Sequence, residues 1–232
     1  MKGVYTGDCI ELDQEDIHLL QEKRHPVQQE AIRDLPEGNK EDLFALPLPF
    51  MAAVQTATSF YAKGTGKYGK GYAEGQWKVD PNDPWFWCHF VRDPVMPGSL
   101  GTDGLFQLAG IWGAFTRKIQ GRPRALEGKF TYDGQIFPNA QCVYYRIDVS
   151  RFLKNRRLMQ FDGQIAVDDP ENVIYRYEGC KMGYFFREEL GIPEGPASTY
   201  YSPDWETCRV KALESVQSSQ RLSEASDASN LS

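Results

Sequence analysis

One histidine and one aspartate in the middle of the chain have the types and spacing for acid–base chemistry. His89 is the only histidine beyond residue 25, and Asp103 follows it within the same loop-and-helix segment. Histidine titrates near neutral pH, so its imidazole can take or give a proton. A carboxyl group in an apolar pocket can have a raised pKa and act as the acid. Such a pair suits removal of a proton next to a thioester carbonyl, with loss of a hydroxyl group.

The segment between these two residues reads CHFVRDPVMPGSLGTD. Pro94 and Pro97 stiffen it, and Gly98 lets the backbone come close to a ligand. The chain then enters a predicted helix, whose first N–H groups could hold an oxygen that becomes negative during a reaction. We expect Asp103 in the first turn of this helix, and the aromatic residues and Met96 along a tunnel for an acyl chain.

Spacing alone leaves plainer interpretations open for both residues. A lone histidine beside aromatic residues is more often a satisfied core residue than a base. An aspartate at the start of a helix is more often a cap. No Gly-x-Ser-x-Gly elbow, Walker loop or dinucleotide fingerprint occurs in the sequence to favour another chemistry.

A long buried helix is predicted from about Thr102 onward. Its residues are apolar nearly all round, and its glycines allow neighbours to approach closely. The basic stretch 116–124 suits the end of this helix. The apolar residues that recur at spacings of three and four are Leu105, Leu108, Ala109, Trp112, Phe115 and Ile119.

The remaining patterns in the middle of the chain predict β-strands. Residues 69–80 alternate between apolar and polar side chains, as a half-buried strand does. Four more strands are predicted at 124–131, 140–150, 156–167 and 172–186, with DDPEN as a turn between the last two. The fold class is therefore α+β, with an antiparallel sheet wrapped around one long buried helix.

The two ends of the chain differ from its middle in composition. Residues 1–45 are polar, so we expect an N-terminal arm with a short helix after Asp13 and an otherwise loop-rich, surface-lying course. Residues 46–190 form the predicted domain. Residues 191–232 form a C-terminal extension with a Ser-rich end, which we expect to be disordered.

Composition excludes several classes of protein. The formal charge of the 232 residues is -6, which argues against a general nucleic-acid binder. The five cysteines are widely spaced and odd in number, so reduced thiols are expected, and no spacing suits a zinc site. No apolar run suits a membrane span or a signal peptide, and the expected location is the cytoplasm.

The central segment resembles a known family of enzymes. The residues that carry the likeness are Cys88-His89-Phe90, Asp93 to Gly98, Leu100-Gly101, Asp103 and Gln107. Together they resemble the 3-hydroxydecanoyl-ACP dehydratases, which are β-hydroxyacyl thioester dehydratases of hot-dog fold. The similarity extends over roughly 46–186, through LPLPFM, GKGYAEG, RALEGKFTYDGQIFP and KNRRLMQFDGQIAV.

The resemblance implies a role for each matching residue. His89 would remove the proton from C2, and Asp103 would act on the departing hydroxyl group. The amide of Gly98 would polarise the thioester carbonyl, and Gln107 would help to orient Asp103 or the substrate. The further substrate contacts that we expect are Phe90, Val95 and Met96.

The resemblance also implies the assembly and the partners. Family members are homodimers, so a double hot-dog is expected, with His89 from one subunit and Asp103 from the other in each site. No cofactor or metal is implied. The acyl chain would arrive on acyl carrier protein, an acidic partner, and Arg156, Arg157 and the stretch 116–124 could form its docking patch. Solvated surface charge is an equally good interpretation of those residues.

Three departures from the family pattern keep other functions open. The run before Cys88 is one residue shorter than usual, Thr102 stands where an aliphatic residue is usual, and Ser99 where a cysteine often occurs.

The main prediction is a dehydratase that forms a trans-2-enoyl thioester. An aspartate at 103 looks more like the branch that also isomerises this product to the cis-3 form. The alternatives are a hot-dog acyl thioesterase and a non-catalytic hot-dog binding subunit of a synthase.

Overall fold

The computed structural model describes residues 4–6, 9–35, 42–47, 51–61, 64–90 and 92–191. Its helices are α1 (Gln14–Gln21), α2 (Pro26–Asp34), α3 (Trp85–Cys88) and α4 (Gly98–Thr116). Its strands are β1 (Val4–Thr6), β2 (Cys9–Leu12), β3 (Thr56–Phe60), β4 (Tyr72–Lys78), β5 (Arg122–Tyr132), β6 (Cys142–Leu153), β7 (Leu158–Val167) and β8 (Val173–Phe185). The predicted disorder at the C-terminal end falls on residues 192–232, outside the described part.

The described strands form one antiparallel sheet in the order β1-β2-β3-β4-β6-β7-β8-β5. After β4 the chain leaves the sheet, passes through α3 and α4, and returns at the far edge as β5. Helix α4 packs against β3, β4, β5, β6 and β7, so the sheet wraps around it. This arrangement confirms the predicted α+β class and hot-dog fold. The pairing of two such subunits stays a prediction.

The predicted strands of the domain are confirmed, with small shifts at their ends. In β4 the side chains alternate, and Ala73 and Trp77 face the core. In β6 the inward residues include Val143 and Ile147, both fully buried. This alternation follows from the two-residue period of a strand with one covered face. The inward faces of these strands together form the apolar surface that packs against α4.

Helix α4 is buried over most of its length, as its all-round apolar sequence predicts. Close packing at Gly113 shows why small residues are needed, because a Cβ atom there would fall 2.0 Å from the Tyr184 hydroxyl. The predicted start near Thr102 is wrong by one turn. The helix begins at Gly98, directly after Pro97, and the two glycines and the serine of its first turn, Gly98, Ser99 and Gly101, hid this start from the apolar pattern.

The N-terminal segment is not the loop-rich surface appendage that its polar composition suggested. The predicted helix after Asp13 is confirmed as α1, and Asp13 caps it by accepting from the backbone N–H groups of residues 15 and 16. A second helix, α2, follows, and β2 pairs with β3. Leu20 and Ile10 belong to the main core. The boundary at residue 45 stays a prediction.

None of the helices in the described residues is both long enough and apolar enough to cross a bilayer. Among the described cysteines, Cys88, Cys142 and Cys180 are free thiols.

Candidate active site

A cavity of about 510 Å³ opens beside the N-terminal half of α4. Its far walls are the loop 43–47, the beginning of β5 and the side chain of Phe130. The helix residues that line it are Ser99, Thr102, Asp103, Phe106 and Gln107. Two residues predicted for the site, Asp103 and Gln107, are therefore brought together at one apolar cavity. This spacing of four places both side chains on one face of the helix.

Gln107 holds the carboxyl group of Asp103 in a fixed orientation. Its Nε2 atom donates to Asp103 Oδ2 at 2.6 Å and to the carbonyl oxygen of Met51 at 2.9 Å. Its Oε1 atom accepts from the backbone N–H of Ala53 at 3.1 Å. All of the hydrogen-bonding groups of the amide are used, so the amide cannot flip without losing bonds. The predicted contact between Gln107 and Asp103 exists, and the loop 51–53 anchors it.

The electrostatic surroundings of Asp103 favour its protonated form. Burial raises the pKa of the Asp103 carboxyl above its ordinary value, and the hydrogen bond from Gln107 opposes this only in part. In the single chain the side chain still reaches solvent through the cavity mouth, although protein surrounds its other sides. Asp103 lies in the second turn of α4, so the expected first-turn position is wrong. It does not cap the helix either.

The beginning of α4 offers free backbone N–H groups beside Asp103. The N–H groups of Leu100 and Gly101 bond to the carbonyl oxygen of Pro97. Within the described residues, the N–H groups of Gly98 and Ser99 have no such bond, as expected for the first residues of a helix. Gly98 also allows close packing, because a Cβ atom there would lie 3.3 Å from Tyr132 Cε1.

A cluster of hydroxyl groups lies behind the first two turns of α4. Thr102 Oγ1 lies 3.0 Å from the carbonyl oxygen of Gly98, 2.8 Å from the Tyr132 hydroxyl and 3.0 Å from the Tyr177 hydroxyl. Sequence reasoning did not find this cluster. The one available signal was Thr102 itself, which stands where the resembling family has an aliphatic residue.

A buried carboxylate fixes the wall opposite the helix. Asp42 is 1% exposed and accepts from Arg122 Nε at 2.9 Å and from the backbone N–H of Arg187 at 2.7 Å. These bonds tie the loop 43–47 to β5 and to the end of β8. Arg122 also lines the cavity, together with Lys23 and Arg124. The cavity therefore has an apolar interior with cationic groups on one wall.

His89 lies outside this cavity. It follows the short helix α3, whose Trp85 and Phe86 are buried against Trp77 of β4. His89 itself is exposed, so the interpretation as a satisfied core residue is wrong. Its ring lies 4.1 Å from that of Phe90, and no hydrogen bond fixes it among the residues that the structure describes. A single chain does not place His89 at the cavity of Asp103.

The other residues predicted to contact substrate differ in exposure. Phe90 is 56% exposed, whereas Val95 and Met96 are buried. The backbone N–H of Met96 bonds to the carbonyl oxygen of Ile136 at 2.9 Å, which holds the loop before α4 in place. None of the three lines the cavity beside Asp103 in the single chain. Their predicted contact with substrate remains untested.

The predicted docking patch is only partly available to a partner. Arg157 pairs with Glu189 and stacks over the ring of Phe186. Arg122 is paired with Asp42. Arg156 and Arg124 remain exposed.

Comparisons with known proteins agree with this fold. The family model described as the FabA-like domain matches residues 46–178, more than half of the chain. Among solved structures, one similar chain belongs to the dehydratase heterocomplex ApeI:P from Xenorhabdus doucetiae. It has a TM-score of 0.45 and 14% identity, over 62% of this chain and 89% of that one.

A second similar structure is the (R)-hydratase from A. caviae involved in PHA biosynthesis. It has a TM-score of 0.35 and 10% identity, over 52% of this chain and 96% of that one. At these identities the structural likeness concerns the fold alone. The match over residues 46–178, together with the antiparallel sheet wrapped around α4, shows that the chain belongs to the FabA-like domain family.

Proposed function

We propose that this protein is a (3R)-hydroxyacyl thioester dehydratase, which forms the trans-2-enoyl thioester and water. The observation that carries the proposal is the carboxyl group of Asp103, held by Gln107 at an apolar cavity where burial raises its pKa. A raised pKa favours the protonated form of the acid, and a protonated acid is what a departing hydroxyl group needs. Membership of the FabA-like domain family supports the same chemistry.

Each chemical step can be assigned to one side chain. His89 takes the C2 proton, and the electron pair of that C–H bond forms the C2–C3 double bond. The C3–O bond breaks as Asp103 gives its proton to the leaving hydroxyl group, which departs as water. The N–H of Gly98 stabilises the negative charge that builds up on the thioester oxygen. Proton loss from His89 and proton uptake by Asp103 restore the starting state.

The site is proposed to form between two copies of the chain. His89 is exposed and lies outside the cavity of Asp103, so the base must reach that cavity from elsewhere. No described residue pairs with the outer edge of β5. This edge region exposes Leu126, Phe130 and Tyr132, which is typical of a surface that a partner covers. A homodimer would cover it and bring His89 of one copy to Asp103 of the other.

The acyl chain is proposed to arrive on acyl carrier protein. Lys23 and Arg124 place positive charge at the cavity, whereas the charge of Arg122 is balanced by Asp42. Such charge suits an acidic carrier and the phosphate of its thioester arm. The aspartate at 103 also favours the branch of the resembling family that isomerises trans-2 to cis-3 products, so both products are measured in the same assay.

The test is an assay of the purified protein with 3-hydroxydecanoyl thioesters, on acyl carrier protein and on a small-molecule carrier mimic. Trans-2-enoyl product from the parent protein, lost in His89→Ala and in Asp103→Asn, is the expected result. Free thiol without enoyl product would instead identify a thioesterase. Binding of acyl thioesters without turnover at several chain lengths would identify a non-catalytic binding subunit.

A mixed-subunit experiment tests the shared site directly. Co-expressed and doubly tagged heterodimers of His89→Ala and Asp103→Asn contain one site with both residues intact, if each site draws on two copies. About half of the parent activity per dimer is then expected, because the second site carries both defects. If each site lies within one chain, every site carries one defect and the heterodimers stay inactive.

A further inference from the structure

The hydroxyl group of Thr102 uses all of its hydrogen-bonding capacity. A threonine hydroxyl has one proton to donate and two lone pairs to accept with. The carbonyl oxygen of Gly98 can only accept, so Thr102 donates to it at 3.0 Å. The hydroxyl groups of Tyr132 and Tyr177 must then both donate to Thr102 Oγ1, at 2.8 and 3.0 Å. Proton counting therefore fixes the direction of every bond in the cluster.

The cluster joins the start of the helix to two strands. Tyr132 ends β5 and Tyr177 lies within β8, on the neighbouring strand. The ring of Tyr132 also packs edge-on against Tyr175 at 4.7 Å, and Tyr175 in turn contacts the helix at Gly101. Tyr177 is 1% exposed, and burial raises the pKa of its phenol, so it stays protonated and able to donate. The first turn of α4 is thus attached to the sheet by hydroxyl groups.

The same turn carries the free N–H groups of Gly98 and Ser99, and Asp103 follows Thr102 directly. We propose that Thr102 is a positioning residue that, through the hydroxyl groups of Tyr132 and Tyr177, fixes the first turn of α4 and the N–H groups that face the thioester. This inference rests on the proposed dehydratase function. An aliphatic residue at this position has no hydroxyl group and cannot make these bonds. The threonine that departs from the family pattern thus supplies bonds that the usual residue lacks. The rate gain from hydrogen-bond donors that stabilise a transition state is lost when the donors are misplaced by about 1 Å.

The test compares two threonines of one helix. Thr102→Val removes the hydroxyl group at nearly constant volume, and Thr102→Ser restores it. Thr116→Val is the matched control, because Thr116 Oγ1 donates to the carbonyl oxygen of Trp112 at 2.6 Å, the same local bond at the other end of α4. Tyr132→Phe is a second variant that leaves no buried hydroxyl group without a partner, since Tyr132 is exposed.

Two readouts are measured on the full-length protein. In Thr102→Val, we expect kcat to fall about tenfold with KM within about twofold of the parent, as expected for a group needed mainly in the transition state. Amide hydrogen exchange at residues 100–102 should become at least about threefold faster. Both values are measured with the thioester on the small-molecule carrier mimic, which does not use the predicted docking patch. Thr102→Ser should restore both values, Tyr132→Phe should give a smaller loss of kcat, and Thr116→Val should leave both unchanged.

The positioning role would be overturned by an active enzyme in which Thr102→Val keeps the parent kcat, or in which Thr116→Val loses as much. A parent protein without dehydratase turnover would instead refute the proposed function. Hydrogen exchange then still decides the physical part of the inference, since unchanged exchange at residues 100–102 would contradict the attachment of the helix start.

Discussion

Asp103 and His89 lie in contrasting surroundings. Asp103 projects from a long buried helix and is exposed at the cavity mouth in the single chain, but its carboxyl group bonds to Gln107 and its pKa is raised by desolvation. His89 follows a helix of four residues and is exposed, and among the described residues its ring contacts that of Phe90 alone. The difference teaches that a single chain fixes the carboxyl group of Asp103 at the cavity and leaves the imidazole of His89 outside it. The proposed mechanism therefore needs a second copy of the chain to bring a His89 to this cavity.

The largest expected effects come from the two proposed catalytic groups. Asp103→Asn and His89→Ala should each lower kcat by about 10² to 10⁴-fold, the usual contribution of a general acid or base. Stability should respond differently from activity. Burial disfavours the charged form of Asp103, so a neutral amide should not lower the unfolding free energy, and His89 is exposed enough to be removed at little cost. Steady-state kinetics measure kcat of the two variants, and urea unfolding measures their stability. A loss of unfolding free energy above about 2 kcal/mol in either variant would contradict the prediction that activity falls without loss of stability.

Gln107 sharpens the comparison on the acid side. Gln107→Leu should lower kcat about tenfold, because the carboxyl group of Asp103 loses its fixed orientation. It should also cost about 1–3 kcal/mol of stability, since buried backbone groups lose their partners. Gln120→Leu is the matched control, because the Oε1 atom of Gln120, which lies beyond the C-terminal end of α4, accepts from the backbone N–H of Phe44 at 2.9 Å. Equal loss of kcat in both variants would show that the effect is general destabilisation.

Asp83 allows a pH test near His89, because it lies just before the helix α3 that precedes this histidine. Burial, with a contribution from Asp80, raises the pKa of Asp83 to about 6. The folded state thus holds this proton more tightly than the unfolded chain, whose aspartate pKa is about 3.9. The contribution of Asp83 to stability is therefore fully present below about pH 4 and is lost as the pH rises through about 6.

Asp83→Asn should then be more stable than the parent above pH 6, on the order of 1 kcal/mol after allowance for the solvent near this carboxyl. The two proteins should converge below about pH 4. Thermal unfolding across this pH range measures the difference. A gap that stays constant with pH would mean that the carboxyl does not titrate as described.

The smallest expected effect is at Phe90. Phe90→Leu removes the ring that lies against His89 while leaving an apolar side chain at this exposed position. We expect kcat to fall about two- to fivefold with little change in stability, in keeping with an aromatic contact worth about 0.5–1 kcal/mol. Phe137→Leu, at another exposed aromatic, is the control. Parent-like kinetics in Phe90→Leu would mean that the ring does not help to place the imidazole.

Sequence patterns predicted the domain well where a residue's neighbours along the chain decide its surroundings. The alternation in β4 and β6 and the apolar run of α4 each identified a buried face correctly. Strand β3 was missed because its inward residues are small and one of them is polar, namely Ala57 and Ser59, so they form no apolar alternation. The patterns also gave the likeness to an acyl thioester dehydratase, through the ordered residues around His89 and Asp103.

Helix α2 was missed for a related reason. Its buried residues are polar, and they satisfy one another across the fold. Gln28 Nε2 donates to the carbonyl oxygens of Leu20 and Phe44 at 3.0 and 2.6 Å, and the backbone N–H of His25 donates to Gln28 Oε1 at 3.0 Å. A pattern of polar residues cannot distinguish such a buried network from a solvated loop.

The sequence by itself determined the α+β layout, the buried central helix and the pair of residues on which the proposed chemistry depends. Only the tertiary structure decided that Gln107 clamps Asp103 and that Thr102 bonds to two tyrosines. It also decided that His89 stays outside the cavity in a single chain. The physical reason is that hydrogen bonds, burial and pKa shifts depend on groups that lie far apart in the chain and meet only when the sheet closes around the helix.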